Sequence, residues 1–223
     1  MINIGIIGIG YVGLVQGVIL ADFGMKVICM DVIAEKIELL KKGIIPIYEP
    51  GLKELLDKNV DAGRLHFTTD IKETVENSDV LFIAVGTPSN EDGSCDLNYV
   101  KAVAGSIGAF INGYKVIVNK STVPVGTGKL VKEIIQNELN RRSVNIEFDV
   151  VSNPEFLREG KAVRDCLLPD RVVIGAESEK AIEIMKKVYN VLYLNQTPFL
   201  ITNIETAEMI KYASNAFLAV KIS

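Results

Sequence analysis

Metal-ligating and disulfide-forming residues are scarce in this chain of 223 residues, which has one histidine, three cysteines and no tryptophan. His66 has no cluster of other ligands near it in the sequence, so we expect no metal site. Cys29, Cys95 and Cys166 are odd in number and show no CxxC spacing. This pattern excludes a disulfide framework and indicates free thiols in a reducing cytoplasm.

Positive charge and long apolar runs are also limited. Lysine and arginine number 24 against 28 acidic residues, which gives a net charge of -4. A nucleic-acid partner requires clustered basic residues, so none is expected. The longest apolar run, near Ile4 to Ile9, is too short to span a membrane, and no membrane partner is expected either.

The chain alternates short β-branched runs with longer segments of helical periodicity. Its length suits one large domain, or one domain with part of another, and its 48% of hydrophobic residues indicates a globular core. Continuous apolar runs are typical of strands buried on both faces, and helices between them make βαβ units. We therefore predict an α/β fold, a Rossmann-like, doubly wound and mostly parallel sheet with helices on both faces. The predicted strands are Asn3–Ile7, Lys26–Met30, Leu65–Thr68, Val80–Ala84, Lys115–Asn119, Phe148–Val151, Val172–Ile174 and Phe199–Thr202. The predicted helices are Tyr11–Phe23, Ala34–Lys41, Leu52–Lys58, Leu97–Phe110, Gly126–Asn140 and Glu179–Val191.

The last segment, "NIETAEMIKYASNAFLAVKIS", has apolar residues at helical spacing but no terminating signal. A helix normally ends at a glycine or another cap. We interpret the segment as the start of a long helix that the chain does not complete. The predicted division is therefore a domain over residues 1–203 and a helix start over residues 204–223.

A glycine-rich turn directly follows the first predicted strand. Gly8, Gly10 and Gly13 form G-x-G-x-x-G within "GIGYVG". The first glycine allows a tight turn, the second lets the backbone approach a pyrophosphate, and the third lets the helix pack closely on the sheet. The free N–H groups at the helix N-terminus then face the phosphates. The predicted dinucleotide-binding turn consists of Gly8, Ile9, Gly10, Tyr11, Val12 and Gly13.

An acidic residue follows at the end of the second predicted strand. Asp31 lies near the spacing of ~20 residues that is expected for a ribose contact. Its carboxylate would accept a hydrogen bond from the adenosine 2′-hydroxyl and repel a 2′-phosphate, which favours NAD over NADP. Lys36, one helical turn further on, weakens that preference slightly.

Three polar loops follow later strands, at the carboxyl edge where open α/β sheets bind ligands. Their sequences are "AVGTPS", "NKSTVPVGT" and "VSNPEFLREGKAVRD". In the third loop Glu155 and Glu159 are four residues apart, and a helix there would put both carboxylates on one side. Lys211 and Asn215 have the same spacing on the terminal helix. Together the loops indicate a ligand site beside the glycine turn.

Seven motifs in this order resemble the UDP-glucose 6-dehydrogenase family, within the wider group of nucleotide-sugar dehydrogenases. They are "GIGYVG", "IYEPGL", "VGTPS", "KSTVPVGT", "NPEFLREGKAV", "PDRVVIG" and "KYASNAFLA". The resemblance covers essentially the whole chain. It implies oxidation of the C6 hydroxyl of UDP-glucose to a carboxylate by two NAD+, through a cysteine-bound thiohemiacetal and thioester. It also implies a homodimer, because the terminal helix is the family's dimer element.

The resemblance assigns site residues one by one. The cofactor residues it implies beyond the turn are Asp31, Lys36, Val85, Gly86, Thr87, Pro88, Ser89, Ser121, Thr122, Val123 and Glu159. The substrate residues it implies are Glu155, Phe156, Leu157, Arg158, Glu159, Lys211 and Asn215.

Four of these residues carry catalytic roles by resemblance. Thr122 positions a water molecule, and Glu155 assists thioester hydrolysis. Lys211 stabilises negative charge on the C6 oxygen, and Asn215 adds a hydrogen bond to that oxygen. A lysine ammonium suits this role because it is a compact cation with three donors.

The chain departs from the family pattern at the nucleophile. The family's "GGSCFPKD"-like motif is absent, and Cys95 in "DGSCDLNYV" belongs to a different segment. Cys29 falls in a predicted core strand, and Cys166 is interpreted as ordinary packing. We therefore expect the N-terminal half of an enzyme, which binds NAD but does not turn over UDP-glucose.

Two alternatives remain open from the sequence. One is a different nucleotide sugar, either GDP-mannose or UDP-N-acetylmannosamine. The other is an NAD-binding module without catalysis, which would account for the missing cysteine but not for the four catalytic-type residues.

Overall fold

A single sheet of eight strands organises the computed structural model, which describes residues 2–222. The strand order is β3-β2-β1-β4-β5-β6-β7-β8, and all neighbours are parallel except β6 and β7. The predicted mostly parallel sheet is therefore confirmed. The strands are β1 (Asn3–Ile7), β2 (Lys26–Met30), β3 (Leu65–Thr68), β4 (Val80–Ile83), β5 (Lys115–Asn119), β6 (Phe148–Ser152), β7 (Val172–Gly175) and β8 (Phe199–Thr202).

Helices cover both faces of the sheet, as predicted for a doubly wound fold. One core cluster packs α1, α2, α3, α7 and α8 on one face, and a second packs α4, α5 and α6 on the other. Within residues 2–222 the helices are α1 (Tyr11–Asp22), α2 (Ala34–Lys41), α3 (Leu52–Asp61), α4 (Ile71–Glu76), α5 (Asn98–Phe110), α6 (Thr127–Arg141), α7 (Ala162–Leu167), α8 (Glu179–Val188) and α9 (Ile204–Ile222). Each of them is too short or too polar to cross a membrane.

Two short helices were not predicted from the sequence. α4 and α7 have six residues each, and so few residues do not complete two turns of an apolar stripe. The capping pair Asp70 and Glu73 was a usable signal for α4, because the Asp70 side chain accepts a hydrogen bond from the Glu73 N–H. The predicted helix after β7 ends earlier than expected, at Val188, and a 3-10 helix follows over Asn190–Asn195.

The order of the strands determines where loops meet. β1 and β4 are neighbours in the middle of the sheet. From β1 the chain continues to β2 and β3 on one side, and from β4 it continues to β5 and the later strands on the other side. In such sheets the loops at the carboxyl ends separate at this point and leave a crevice. The loops after β1, β4, β5 and β6 therefore open on one edge of the sheet.

The last helix runs back across the sheet. Ile204 and Ala207 of α9 are buried, and a side chain added at Gly175 of β7 would meet the Ala207 Cβ at 2.5 Å. Further along, Phe217 and Val220 are exposed. Met1 and Ser223, the outer ends of the two predicted ranges, lie outside the described residues.

Candidate active site

The glycine turn has the backbone that its sequence predicts. Gly8 has φ +93°, in the left-handed region that favours glycine. A Cβ atom at Gly13 would lie 2.0 Å from the Gly8 carbonyl oxygen, so α1 can approach the turn this closely only with glycine there. At Gly10 a Cβ would meet nothing within 4 Å. The space above Gly10 is therefore open to a ligand.

The N-terminus of α1 faces this open space without a protein cap. Gly10 is the N-cap residue and has no side chain to bond the free N–H groups, and the first turn of the helix carries no acidic residue. The first intrahelical bond runs from the Leu14 N–H to the Gly10 carbonyl at 3.0 Å. The preceding N–H groups and the positive end of the helix dipole suit an anion such as a pyrophosphate.

Asp31 stands next to the turn, at the end of β2. Its Oδ2 accepts hydrogen bonds from the Ile9 N–H at 2.9 Å and from Lys36 Nζ at 2.7 Å, and its Oδ1 accepts from the Ile33 N–H at 3.1 Å. A carboxylate has about four acceptor positions, so one remains for a ribose hydroxyl. These residues fit an NAD adenosine, and Lys36 is held by Asp31 rather than directed outward.

Two further loops close around the turn. A Cβ at Gly8 would meet Val85 Cγ1 at 2.8 Å, which shows how closely the loop after β4 passes. Ser121 Oγ donates to the Val85 carbonyl at 2.7 Å, and Thr87 Oγ1 donates to the Thr122 carbonyl at 2.9 Å. The structure therefore brings together the turn and the loops after β4 and β5, although the sequence separates them by up to about a hundred residues.

A cleft of about 570 Å³ opens beside α1, between the loop after β6 and α9. Of the residues predicted to bind substrate, Glu155, Phe156, Leu157, Arg158, Lys211 and Asn215 line it. Glu159 does not, and its side chain is exposed. The arrangement that a helix would give, with the Glu155 and Glu159 carboxylates on one side, is not formed, because residues 153–158 form a loop without regular secondary structure. Pro154 follows Asn153 and restrains that residue from helical geometry.

Lys211 is anchored at the wall of this cleft. Its Nζ donates to the Glu155 carbonyl at 2.6 Å and to Glu155 Oε1 at 2.9 Å. Glu155 Oε2 accepts from the Leu157 N–H at 2.6 Å, and the Phe156 ring centroid lies 5.4 Å from Lys211 Nζ. An ammonium has three N–H donors, so one is left for a ligand oxygen.

Other predicted residues have different surroundings. Arg158 makes a bidentate pair with Asp165, the shorter contact being 2.6 Å, so its guanidinium is already engaged. Asn215 is exposed at the mouth of the cleft. Thr122 is half-buried and lies outside the residues that line the cleft.

A second lysine of the cleft wall was not singled out by the sequence. Lys120 is buried, and its Nζ donates to Asn153 Oδ1 at 3.0 Å. The same oxygen accepts the Tyr189 hydroxyl at 2.7 Å. Burial lowers the pKa of Lys120 to about 8, although nearby Cys166 and Glu155 oppose the shift. A buried lysine at the end of an apolar strand has no sequence signal, since "VNK" reads as a strand end.

Replacing Lys120 with methionine should therefore stabilise the chain at neutral pH. Because the pKa of Lys120 is lowered from 10.5 to about 8, burying the charged ammonium costs about 3 kcal/mol of folding free energy below pH 8. This cost decreases as pH rises from 8 and is absent above 10.5, where the lysine is neutral in both states. We expect Lys120→Met to raise the free energy of unfolding by about 1–3 kcal/mol at pH 7, with a smaller gain at pH 10. Denaturant titrations at both pH values measure this. Lys129→Met, at an exposed position, is the control, and an equal gain there would contradict the account.

None of the three cysteines is placed as a nucleophile. Cys29 is fully buried against Gly17, where an added Cβ would lie 2.4 Å from its sulfur, and burial raises its pKa. Cys166 lines the cleft, but burial raises the pKa of its thiol to about 12. The Cys95 sulfur lies 4.0 Å from the Thr87 carbonyl in a loop outside the cleft lining. The raised pKa values of Cys29 and Cys166 leave these two thiols largely protonated, which does not suit covalent catalysis.

Residues 2–193 match the NAD binding domain of the UDP-glucose/GDP-mannose dehydrogenase family. The chain belongs to this family. The NAD cofactor predicted from the glycine turn is thereby confirmed.

Relatives in this family agree with the fold. The chain is 55% identical over 223 residues to UDP-glucose 6-dehydrogenase TuaD of Bacillus subtilis, covering 100% of the chain and 47% of that protein. A UDP-glucose dehydrogenase structure from Pyrobaculum islandicum superposes with a TM-score of 0.94 at 43% identity, covering 100% of the chain and 51% of the other. A ternary complex of GDP-mannose dehydrogenase from Pseudomonas aeruginosa superposes with a TM-score of 0.93 at 39% identity. The match covers 98% of this chain and 50% of the other. The chain thus spans about half the length of the relatives it matches.

Proposed function

We propose that this chain is the cofactor-binding half of an NAD-dependent UDP-glucose 6-dehydrogenase. The observation that carries the proposal is that the glycine turn and the Lys211–Glu155 cleft open at the same edge of the sheet, and that the loop carrying Glu155 contacts the turn. The Gly160 N–H, at the end of the loop after β6, donates to the Tyr11 hydroxyl of the turn at 3.0 Å. A dinucleotide on the turn and a sugar in the cleft would therefore be neighbours.

Each predicted cofactor residue has a proposed part. The residues Gly8, Ile9, Gly10, Tyr11, Val12 and Gly13 cradle the pyrophosphate, with Asp31 and Lys36 beside the adenosine ribose. The loops containing Val85, Gly86, Thr87, Pro88, Ser89, Ser121, Thr122 and Val123 line the rest of the dinucleotide, with Glu159 at its far end. When bound, NAD+ supplies a hydride acceptor.

The chain's own residues hold the sugar and its developing charge. Lys211 keeps one N–H free after its two bonds to Glu155, and this donor stabilises negative charge on the C6 oxygen. Asn215 adds a second donor from the same helix. Glu155, beside the reacting carbon, and Thr122, from the neighbouring loop, orient the hydrolytic water. Phe156, Leu157 and Arg158 line the sugar pocket.

The substrate proposal rests on similarity to proteins of known name. UDP-glucose is favoured because relatives at 55% identity carry that activity in their names. We further propose that residues 1–203 form the NAD-binding domain, and that α9 pairs two subunits through the exposed Phe217. Three free thiols favour a cytoplasmic location.

A turnover assay tests the catalytic half of this proposal. We expect the 223-residue chain to form no NADH from UDP-glucose, because none of its cysteines is placed to hold a thioester. A protein that joins this chain to a UDP-binding domain from the named Bacillus relative should regain NADH formation, and Lys211→Met in that protein should abolish it. Faster turnover with GDP-mannose than with UDP-glucose would overturn the substrate assignment. NADH formation by the chain alone would overturn the assignment of the cysteines.

Cofactor choice depends on Asp31. Removing its charge in Asp31→Asn eliminates repulsion of a 2′-phosphate and frees Lys36 to meet it. We expect the ratio of NADP+ to NAD+ affinity to rise about tenfold to a hundredfold, the effect of one charged hydrogen bond. Calorimetric titration with both cofactors measures the ratio. The control is Asp22→Asn at the far end of α1, where the Asp22 carboxylate accepts a hydrogen bond from Lys58 of α3. This substitution should leave the affinity ratio unchanged. An unchanged ratio in Asp31→Asn would exclude Asp31 from the adenosine site.

A further inference from the structure

Glu49, in the motif "IYEPGL", is buried and has no part in the function proposed above. It lies in the segment before α3, where its carbonyl accepts the Leu52 N–H at 3.2 Å. Glutamate is rarely buried without partners. Its contacts therefore indicate what the residue does.

The Glu49 carboxylate joins the glycine turn to the loop after β6. Its Oε2 accepts the Tyr11 hydroxyl and, at 2.9 Å, the Gly160 N–H. Its Oε1 accepts the Val163 N–H, in the first turn of α7, at 3.4 Å. The Gly160 N–H is shared, since it also donates to the Tyr11 hydroxyl at 3.0 Å. The three groups form a closed triangle of hydrogen bonds.

These contacts are made without a compensating cation. None of the ion pairs found among residues 2–222 includes Glu49. Its charge is balanced by N–H and O–H donors alone, so losing one donor leaves a buried carboxylate under-solvated. This makes the triangle sensitive to the position of Tyr11.

Two of the three residues in the triangle, Tyr11 and Gly160, lie next to places where a ligand would bind. Tyr11 is the first residue of α1, so its backbone lies at the turn that cradles the pyrophosphate. Gly160 directly follows Glu159 and closes the loop that begins with Asn153 and carries Glu155. Its φ of +78° makes this end of the loop a defined bend. If a ligand on the turn displaced Tyr11, the hydrogen bonds to Gly160 and Glu49 would carry that displacement to the loop.

We propose that Tyr11 and Glu49 are positioning residues that couple cofactor binding at the glycine turn to the ordering of the Asn153–Gly160 loop. The inference rests on the proposed function, since it takes NAD as the ligand of the turn. Neither residue contacts the reacting atoms. By linkage, a second ligand that binds the ordered loop tightens NAD binding by the same factor by which NAD tightens the binding of that ligand. A brace with only a structural role would hold the loop equally with and without NAD.

Amide hydrogen exchange distinguishes coupling from bracing. In the wild-type 223-residue chain, saturating NAD+ should slow exchange in the turn, at Val12 and Gly13, at the end of the loop, at Gly160, and at Val163 in the first turn of α7 that follows it. A gain of one fully formed hydrogen bond slows exchange by up to about tenfold. In Tyr11→Phe, slowing should persist in the turn and disappear in the loop. Glu49→Gln keeps the side-chain volume but has one acceptor oxygen, so its loop response should be intermediate.

A matched variant removes a comparable hydroxyl elsewhere. The Tyr114 hydroxyl donates to Asp149 at 2.6 Å at the opposite edge of the sheet, and Tyr114→Phe should respond to NAD+ as the wild type does. Equal slowing in the loop of Tyr11→Phe and wild type would overturn the coupling. So would slowing in the wild-type turn without any in the loop. Absence of slowing in both regions would contradict NAD binding itself and the coupling with it.

Discussion

Replacing Gly13 with alanine should weaken NAD binding at least a hundredfold and destabilise the fold. The new Cβ would lie 2.0 Å from the Gly8 carbonyl oxygen, a backbone atom that cannot rotate away. Helix α1 must then shift from the turn, which moves its N-terminal N–H groups off the phosphate position. We expect at least a hundredfold loss of affinity, as roughly two lost charge-assisted hydrogen bonds would cause, and a loss of about 1–3 kcal/mol of stability from overpacking. Calorimetry with NAD+ and thermal unfolding measure the two effects.

Two other glycines separate binding from folding. At Gly10 an added Cβ meets no protein atom within 4 Å. Gly10→Ala should therefore fold normally and still lose affinity, because the methyl group enters the space for the pyrophosphate. Gly105 lies within α5, where an added Cβ also meets nothing, and Gly105→Ala should gain about 0.5–1 kcal/mol with unchanged binding. Normal NAD binding by Gly13→Ala would contradict the role given to the turn.

Replacing Glu208 with alanine should release α9 from the sheet domain. Glu208 is buried on α9, and its two oxygens accept the Gly126 and Gly128 N–H groups of the α6 N-terminus at 2.7 Å each. α6 has no cap from its own side chains. Removing the carboxylate leaves the buried Gly128 N–H and the half-buried Gly126 N–H unpaired. Because an unpaired buried donor costs about 1–3 kcal/mol, we expect a loss of about 3 kcal/mol. Because Lys211 lies one turn further on, its contact with Glu155 should loosen as well.

The Glu208 effect is measurable by denaturant titration. Glu205→Ala, at an exposed position one turn away, is the control and should change stability little. Burial raises the pKa of Glu208 above its ordinary value of 4.5. In the pH range between that ordinary value and the raised one, the folded state therefore binds more protons than the unfolded state. Wild-type stability should therefore fall as pH rises through the range, and Glu208→Gln should lack this slope. Equal stability of Glu208→Ala and Glu205→Ala would contradict the capping role.

The sequence was sufficient for features that rest on local rules. Strand positions follow from apolar runs, and the glycine turn follows from three glycines at a strand–helix junction, so both were predicted. The six-residue helices α4 and α7 were missed because short helices carry too little periodicity. The segment around Glu155 was recognised as a polar loop from its sequence, and Pro154 in the same motif opposes the helix that would place Glu155 and Glu159 on one side.

Other parts of the site depend on contacts between distant segments. Glu208 caps a helix that lies about eighty residues away in the chain. Glu49 accepts a hydrogen bond from Gly160, which is more than a hundred residues away. No periodicity or spacing connects such pairs. The buried position of Lys120 likewise depends on Asn153, Cys166 and Tyr189, which come from distant segments of the chain. Tertiary packing decides these contacts, and only the structure displays them.

Calorimetric titration of NAD+ into the wild-type chain, with NADP+ in parallel, tests the central claim most directly. The account predicts saturable binding of NAD+ by this chain and clearly weaker binding of NADP+, because Asp31 repels the 2′-phosphate. No heat of binding up to about 1 mM NAD+, the upper range of ordinary cofactor and substrate constants, would contradict the claim that the turn, Asp31 and the two neighbouring loops form a working NAD site.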